Sequence, residues 1–244
     1  IAGVEDFLNE LGENYVVKYD GLAGGKGVRV SGDHLQSHNE ALAYCMELMD
    51  KGGKFVIEEK FIGQEFSLMS FCDGDTLKHM PAVQDHKRAY EGDRGPNTGG
   101  MGTYSDANHS LPFLKDSDIQ EAHTINIATA KALKNKFGEG YKGVLYGGFM
   151  ATGNGVKLIE YNARFGDPEA MNVLSLLKSD FIDICERMAD GTLDGADVQF
   201  QNKATVCKYA VPEGYPDNPV KGEPINISNI ENSDGLFYAS VDIK

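Results

Sequence analysis

The sequence predicts a mixed α/β fold in which antiparallel sheets are covered by packed helices. Segments with strand character are joined by short turns, which favour antiparallel pairing over the long crossovers of a doubly wound parallel sheet. The 244 residues are 41% hydrophobic and 25% charged, a balance typical of a globular protein with a buried core. The 29 glycines exceed the usual share of about 7%. They concentrate in residues 21–27 and 95–102, where the backbone can approach a ligand closely.

The first third of the chain is predicted to contain one helix among several strands. Ser37 begins the helix, because Glu40 three residues later completes a capping box, and Gly52 follows its end. The last strand of this region turns at Asp73-Gly74. The four predicted strands are Tyr15–Tyr19, Val28–Ser31, Phe55–Glu59 and Glu65–Phe71.

The middle of the chain is predicted to contain a loop, a helix and a hairpin. Residues 81–97 show little periodicity and are predicted to form a long polar loop. Ser117, with Gln120 in the capping-box position, begins a second helix that ends at Gly138. The hairpin then consists of Leu145–Met150, the turn Gly153-Asn154-Gly155, and Lys157–Asn162.

The last third is predicted to contain two more helices and two more strands. Asp167 caps the third helix, with Pro168 at its first position. Ser179 begins a fourth helix that ends at Gly191. A shift in composition near residue 197 predicts the start of another domain. The strands predicted after it are Asn202–Val211 and Gly235–Ile243.

Composition and charge argue against several classes of protein. The net charge of −14 repels polyanions, so nucleic acid is not a predicted partner. The sequence has no apolar run of about 18 residues, and its start lacks the regions of a signal peptide, so no membrane partner is predicted. The four cysteines have no metal-binding spacing. They are predicted to be reduced thiols, which favours a cytoplasmic location.

The first glycine cluster lies between two lysines. In the segment KYDGLAGGKG, Lys18 precedes the turn and Lys26 lies within it, beside Gly24 and Gly25. The segment lacks positions required for a Walker loop and for a dinucleotide-binding fingerprint. Backbone N–H groups and ammonium groups of such a flap can bind phosphate. By itself, however, the segment is also typical of a solvated hairpin.

An acidic turn follows the third predicted strand. The segment EEKFIGQE contains Glu58 and Glu59 at the strand end, Phe61 in the bend and Glu65 beyond it. Backbone groups in such a hinge can contact an adenine edge, and the carboxylates can accept hydrogen bonds from an amine or from ribose hydroxyls. An acidic surface turn is the alternative interpretation.

Two side chains with hard oxygen ligands alternate on the second strand of the predicted hairpin. Glu160 and Asn162 share one face, roughly 7 Å apart along the strand. Arg164 joins that face if the chain stays extended. Such oxygens can bind one or two Mg²⁺ ions, and the arginine can hold a carboxylate or phosphate. The alternative is a polar strand face without a ligand.

A basic cluster precedes the second glycine cluster. Asp85 and His86 belong to QDHKR, whereas Thr98 and Gly99 belong to GPNTGGMG. In an acidic protein, this combination can bind an anionic second substrate. A mobile surface loop is the alternative, and a solvated or core position for His86 is commoner than a catalytic one.

Taken together, these segments resemble the ATP-grasp superfamily and, within it, the glycinamide ribonucleotide synthetase family. The strings KYDGLAGGKGV, VIEEKFIGQE, QDHKR with GPNTGGMG, and LIEYNARFGDPE occur in that family's order and spacing. The resemblance implies the ATP-grasp fold, an α+β arrangement of two antiparallel-rich lobes. Residues 1–56 would form the small lobe. Residues 57–196 would form the large lobe with the metal and substrate site, and residues 197–244 the start of a carboxy-terminal domain.

The resemblance also implies how ATP binds between the lobes. Lys18 and Lys26, with Gly24 and Gly25 of the flap, would contact the phosphates. Glu58 and the backbone of Glu59 to Phe61 would hold adenine, and Glu65 would hold ribose. These roles are carried over by position and depend on the resemblance.

Metal binding and catalysis are implied in the same way. Glu160 and Asn162 would bind Mg²⁺ or Mn²⁺. The residues implied to lie near the acid substrate and its acyl phosphate, or to act on them, are Lys26, Asp85, Thr98, Gly99 and Arg164. Many ATP-grasp enzymes have a further metal-binding acid on the preceding strand, whereas residues 146–150 contain none.

The activity implied is the ATP-dependent ligation of glycine to 5-phosphoribosylamine through glycyl phosphate, giving glycinamide ribonucleotide, ADP and phosphate in purine biosynthesis. Two alternatives stay open. One is an ATP-grasp ligase that joins another carboxylate and amine, and the other is a non-catalytic nucleotide-binding module. The presence of both Glu160 and Asn162 favours an enzyme.

Overall fold

A computed structural model describes residues 3–23, 27–92 and 94–242. The chain divides into two compact units, Ile1–Tyr209 and Ala210–Lys244. Its helices are α1 (Val4–Leu11), α2 (His38–Asp50), α3 (Asp116–Phe137), α4 (Glu169–Leu176) and α5 (Phe181–Asp190), with a 3₁₀ turn at Leu193–Gly195. Its strands are β1 (Tyr15–Tyr19), β2 (Val28–Val30), β3 (Phe55–Glu59), β4 (Gly63–Asp73), β5 (Leu77–His79), β6 (Gln84–Asp85), β7 (Arg88–Tyr90), β8 (Arg94–Asn97), β9 (Gly102–Ser105), β10 (Lys142–Thr152), β11 (Gly155–Asn162) and β12 (Thr205–Lys208).

The first sheet has the strand order β2-β1-β3 and is packed against α1 and α2. Its core includes Leu8, Tyr15, Val17 and Cys45, all at most 1% exposed. The three strands and α2 confirm the sequence prediction. Helix α1 was not predicted, because it is short and its N-cap is Gly3, which has no side chain to act as a capping signal.

The second sheet has the order β11-β10-β4-β5, and it is antiparallel throughout, as predicted. One face packs on α3 through a buried apolar cluster formed by Phe66, Leu68, Ala82, Leu111, Ala122, Phe149 and Val156. The opposite face packs on α4 and α5 at one end only, through residues such as Met69, Phe71, Val173 and Ile184. The other end of that face carries the polar residues of the candidate site.

The prediction of a loop over residues 81–97 is wrong. Strand β6 pairs with β9, which also pairs with β12, and β7 pairs with β8 as a small hairpin. These strands contain two to four polar or small residues each. Because they bury no regular apolar face, the alternation that signals a strand is missing from their sequence.

Three helix starts differ from the prediction. Helix α3 begins at Asp116, and the Asp118 carboxylate accepts a hydrogen bond from the Lys115 N–H at 2.9 Å. Helix α5 begins at Phe181, because the Asp180 carboxylate caps the N–H groups of residues 182 and 183. In α5, Asp180 replaces the predicted serine as the N-cap, a position that suits both types of side chain. In α3, the N-cap is Lys115, and Asp118 at the third helical position takes the role predicted for Gln120.

Asp167 does not cap α4, which begins at Glu169. Its carboxylate accepts a hydrogen bond from the Tyr209 hydroxyl at 2.9 Å instead. Strand β12 confirms the core of the predicted strand at residues 202–211, whereas the predicted strand at residues 235–243 is wrong over its described part, residues 235–242. The four cysteines are free thiols, as predicted. Across the part of the chain that the structure describes, no helix is long and apolar enough to cross a membrane.

Candidate functional site

The face of the second sheet opposite α3 is covered by α4 and α5 at one end only, and its uncovered part is the open face. This open face brings three predicted site residues together. Glu160 is paired with Gly148, Asn162 with Tyr146, and Glu65 with Met150. Residues directly opposite each other in an antiparallel pair point to the same face. Gly148 leaves the space above the sheet free of a side chain between Glu160 and Ser67, its partners on either side. The two strands on either side of β10 therefore present their carboxylates to one shared surface.

Glu160 and Asn162 lie side by side at the end of β11. The Asn162 amide donates to the Glu160 carboxylate at 3.2 Å, and Glu160 is exposed whereas Asn162 is half-buried. A carboxylate and an amide carbonyl are hard oxygen ligands of the kind Mg²⁺ binds, and Mg²⁺ usually completes its shell with water and phosphate oxygens. The pair therefore fits a metal held jointly by protein and nucleotide. Within residues 3–23, 27–92 and 94–242, no cluster of three or more His, Cys, Asp or Glu could hold a metal by itself.

Lys18 connects the first sheet to this surface. Its ammonium group lies 2.5 Å from the Glu58 carboxylate on the neighbouring strand β3, and 3.5 Å from the carbonyl oxygen of Ile159. Strand β11 has a bulge here, since the pairing with β10 shifts between Gly148 and Phe149. The ammonium group of Lys18 from the first sheet is thus held next to the segment of the second sheet that carries Glu160 and Asn162. Glu59 is exposed and Phe61 is half-buried next to this contact region.

The flap residues Gly24, Gly25 and Lys26 lie outside the described residues. Their predicted roles in binding phosphate stay predictions. Lys18 is the described lysine of that motif, and only 19% of its side chain is exposed.

Lys87, which was not among the predicted site residues, lies among the carboxylates of the polar surface. Its ammonium group forms an ion pair with the Glu65 carboxylate. Burial works to lower the pKa of Lys87, but the surrounding carboxylates of Glu65, Asp85 and Glu160 outweigh it and raise that pKa. Lys87 is therefore a firmly charged group surrounded by acids. It belongs to the basic cluster QDHKR, which was the signal that could have identified it.

Asp85 lies on β6, next to Glu65 in space. Burial, with further repulsion from the carboxylate of Glu169, raises the pKa of Asp85 to about 7, although Lys87 opposes the shift. Its buried Oδ1 atom has no hydrogen-bond partner among the described residues. A Cβ atom added at Gly100 would lie 3.0 Å from this oxygen, so the second glycine cluster closes around the carboxyl group.

Thr98, Gly99 and Arg164 lie in three different local environments. The Thr98 hydroxyl donates to the Lys87 carbonyl at 2.9 Å and accepts from the Gly100 N–H at 3.0 Å, so it fixes the loop beside Asp85. Gly99 is exposed, with open space around it. Arg164 lies beyond the end of β11, where the chain bends, and donates to the Phe165 carbonyl at 2.8 Å. The extended conformation that would have aligned it with Glu160 is absent there.

Two further residues form the floor of the site. Glu169 is only 2% exposed, and its carboxylate accepts a hydrogen bond from the Tyr146 hydroxyl at 2.8 Å. Burial and the Glu169 carboxylate raise the pKa of Tyr146. Glu169 belongs to the string LIEYNARFGDPE, and Tyr146 is the register partner of Asn162. Only that pairing, which the sequence does not reveal, identifies Tyr146 as a neighbour of the candidate metal ligands.

The chain is similar to curated relatives along nearly all of its length. The chain is 55% identical over 236 residues to a phosphoribosylamine–glycine ligase of Methanosarcina barkeri, covering 97% of this chain and 54% of the relative. It is 54% identical to the enzyme of the same name from Methanocaldococcus jannaschii, covering 98% of this chain and 56% of the relative. The chain thus spans about half the length of the curated relatives it matches.

Solved structures agree with the fold. The crystal structure of phosphoribosylamine–glycine ligase from Thermotoga maritima matches with a TM-score of 0.75 and 31% identity, over 91% of this chain and 55% of that one. Biotin carboxylase from Campylobacter jejuni matches with a TM-score of 0.62 and 16% identity, over 83% of this chain and 43% of that one, which supports the fold alone. Residues 1–170 match the family model described as the phosphoribosylglycinamide synthetase ATP-grasp (A) domain. The chain belongs to this ATP-grasp family, as its motifs predicted.

Proposed function

We propose that the full-length protein ligates glycine to 5-phosphoribosylamine at the expense of ATP, giving glycinamide ribonucleotide, ADP and phosphate. The relatives at 54–55% identity have the name of this ligase. The observation that carries the proposal is the position of the Lys18–Glu58 pair of one sheet beside the Glu160–Asn162 pair of the other. A cation and hard oxygen ligands then face the same space, as the phosphates of a metal-bound nucleotide require.

The proposed chemistry has two steps. A carboxylate oxygen of glycine attacks the γ-phosphorus of ATP, the bond from that phosphorus to the β–γ bridging oxygen breaks, and ADP leaves. The nitrogen of phosphoribosylamine then attacks the acyl carbon of glycyl phosphate, phosphate leaves, and the nitrogen loses a proton. Glycine is already a carboxylate at pH 7, so the first step needs no general base. Catalysis then depends chiefly on positioning and charge neutralisation.

The roles proposed for the nucleotide-binding residues are those that the family resemblance implies. Lys18 and Lys26 neutralise phosphate charge, with Gly24 and Gly25 supplying backbone N–H groups. Glu58 and the backbone of residues 59–61 contact adenine, and Glu65 accepts hydrogen bonds from ribose. The ion pair with Lys87 leaves the second oxygen of Glu65 available for such contacts. Residues 1–56 and 57–196 are proposed as the two lobes that enclose the nucleotide, and residues 197–244 as the beginning of a further domain.

Glu160 and Asn162 are proposed to hold Mg²⁺ or Mn²⁺, which when bound neutralises phosphate charge. Asp85, Thr98, Gly99 and Arg164 are proposed to surround glycine and its acyl phosphate. The support for Asp85 is its buried, unpartnered oxygen beside Gly100. We also propose that the protein's partners are the small-molecule substrates glycine and 5-phosphoribosylamine, and that the protein is cytoplasmic.

A substrate survey with the full-length protein tests this function. ADP release would be measured with freshly formed phosphoribosylamine and with glycine, alanine, serine or bicarbonate as the acid. We expect glycine alone to stimulate ADP release, with one glycinamide ribonucleotide formed per ADP. The variant Glu160→Gln should lose both products. Stimulation by another acid would point to a different ATP-grasp ligase, and nucleotide binding without turnover would point to a non-catalytic module.

A further inference from the structure

The face of the second sheet that packs on α3 contains a buried polar network within an otherwise apolar core. Its central residue, Asn126 of α3, is 0% exposed, as is Ser70 of β4. The residues packed around them form the apolar cluster that includes Phe66, Leu68 and Phe149. A buried amide in such surroundings is costly unless its hydrogen bonds are satisfied.

Every polar group of Asn126 has a partner. The Tyr161 hydroxyl donates to the Asn126 carbonyl oxygen at 2.9 Å and lies 3.1 Å from the Thr129 hydroxyl, which can donate to it in turn. The Asn126 amide donates to the Leu68 carbonyl at 3.4 Å and to the Ser70 hydroxyl at 3.3 Å. A fully satisfied buried network of this kind rigidifies the elements that it joins.

The network ends at a histidine that is suited to accept its last hydrogen bond. The Ser70 hydroxyl lies 2.8 Å from Nδ1 of His79 on β5. The His79 ring is stacked on His123 of α3, with ring centroids 3.9 Å apart. Burial lowers the pKa of His79 to about 4, so the ring is neutral at pH 7 and Nδ1 can accept. Along the chain of hydrogen bonds from Thr129 to His79, each donor can therefore lie on the Thr129 side and each acceptor on the His79 side.

Tyr161 attaches this network to the candidate metal site. It lies between Glu160 and Asn162 in sequence, and side chains alternate along a strand, so its ring points to the α3 face while theirs point to the open face. Its register partner is Gly147, where an added Cβ would lie 2.9 Å from the Asn126 carbonyl oxygen. Glycine at position 147 leaves space for the hydrogen bond between Tyr161 of β11 and Asn126 of α3.

Tyr161 can anchor strand β11 against α3 at the position of the candidate metal ligands. Strand β11 is an edge strand of the second sheet, and its pairing with β10 shifts at a bulge formed by Ile159. Pairing that slips by one residue turns every side chain of a strand to the opposite face. A slip at this edge would point Glu160 and Asn162 into the α3 core. The hydroxyl of Tyr161 is the polar group that fixes the strand against α3 between the two residues.

We propose that Tyr161, Asn126, Thr129 and Ser70 are positioning residues that fix the register of β11, and thereby the metal-binding geometry of Glu160 and Asn162. This inference depends on the metal assignment in the proposed function. Partners that orient metal ligands typically contribute 10–100-fold to metal affinity. Loss of the Tyr161 hydroxyl should therefore weaken metal binding, even though that hydroxyl lies on the α3 face, away from the side chains of Glu160 and Asn162.

The test is a Mn²⁺ titration of the full-length protein in the presence of a non-hydrolysable ATP analogue, followed by electron paramagnetic resonance. We expect Tyr161→Phe to weaken Mn²⁺ binding by roughly 10–100-fold and to broaden the signal of the bound ion. The matched control is Tyr141→Phe, which removes a hydroxyl that donates to the Val144 carbonyl in the same sheet, outside the network. Its Mn²⁺ affinity should stay within about twofold of that of the wild type.

A second pair of variants separates positioning from general damage to the fold. Thr129→Ser keeps the hydroxyl and should bind Mn²⁺ normally, whereas Thr129→Val should bind it more weakly at a similar melting temperature. Wild-type Mn²⁺ affinity in both Tyr161→Phe and Thr129→Val would overturn the inference, while loss of Mn²⁺ binding in Glu160→Gln would leave the proposed function intact. Unchanged Mn²⁺ binding in Glu160→Gln would overturn the metal assignment and the inference together.

Discussion

The two faces of the second sheet satisfy their polar groups in different ways. On the α3 face, the buried polar side chains of Asn126 and Ser70 are fully hydrogen-bonded within an apolar cluster. On the open face, Lys87 is surrounded by several carboxylates, and a buried oxygen of Asp85 has no partner among the described residues. The first face is complete as it stands, whereas the second has capacity left for a ligand. The comparison teaches where to expect loss of stability and where to expect loss of function.

The largest effect should come from the α3 face. Phe149 is 0% exposed and stacks on Phe66, with ring centroids 5.5 Å apart. Phe149→Ala should lower the free energy of unfolding by about 3–5 kcal/mol, because it removes buried apolar surface and leaves a cavity. Chemical denaturation of the full-length protein measures this. Ile182→Ala, at a side chain of α5 that is 63% exposed, is the control and should change stability by no more than about 0.5 kcal/mol. Equal effects of the two variants would contradict the assignment of this cluster as core.

The open face should show the reverse pattern. Glu160→Gln and Asn162→Ala should each lower turnover by at least about 100-fold, because each removes a ligand whose metal neutralises charge in the transition state. Glu160 is exposed, so the melting temperature should change little. Steady-state kinetics at saturating Mg²⁺ and thermal unfolding of the same preparations provide the comparison. Turnover close to that of the wild type in either variant would contradict the metal assignment, and a collapsed melting temperature would assign these residues to the structure instead.

The sequence predicted much of this architecture because local signals and tertiary packing agree in it. The strands of the first sheet and the β10–β11 hairpin have apolar alternation and turn residues that agree with their final pairing. The failures occurred where structure depends on distant partners. Strands β6 to β8 are defined by backbone pairing of polar residues, and Asp167 bonds Tyr209, which is 42 residues away, rather than the helix that follows it.

The candidate site also combines features that the sequence predicted with features that depend on distant partners. Alternation along one strand predicted that Glu160 and Asn162 share a face, and their contact confirms it. It could not predict that Lys87 pairs with Glu65, since that contact joins residues 22 positions apart through the pairing of β4 with the segment leading into β6. Nor could it identify Glu169 and Tyr146, which look like ordinary helix and strand residues until the register is known.

A smaller effect is expected for nucleotide affinity. Glu65→Gln should weaken ATP binding by about 1–3 kcal/mol, because a charged acceptor for ribose hydroxyls is replaced by a neutral one. Turnover at saturating ATP should fall less, since ribose contacts are similar in the ground and transition states. Glu59→Gln is the matched control: it changes an exposed carboxylate whose proposed contribution is its backbone, so affinity should stay within about twofold. A fall in turnover at unchanged ATP affinity would assign Glu65 to the chemistry through its pair with Lys87.

The last prediction concerns Asp85 and the pH dependence of stability. Burial raises the pKa of Asp85 to about 7 in the folded protein, from its usual value of 3.8. Between these two values the folded state keeps a proton that the unfolded state has lost, so stability falls as pH rises through this window and stays reduced above it. Asp85→Asn removes this cost, since the amide stays neutral at every pH.

The variant should therefore melt at nearly the wild-type temperature at pH 4 and at a clearly higher temperature at pH 8, with the difference growing between these two values. Thermal unfolding of the full-length protein across that range measures the difference. Asp217→Asn, at an exposed carboxylate of the second unit, should show no such dependence. If Asp85→Asn melts below the wild type at pH 8, the carboxylate is stabilised there in its ionised form, and the unpartnered oxygen on the open face has a partner after all.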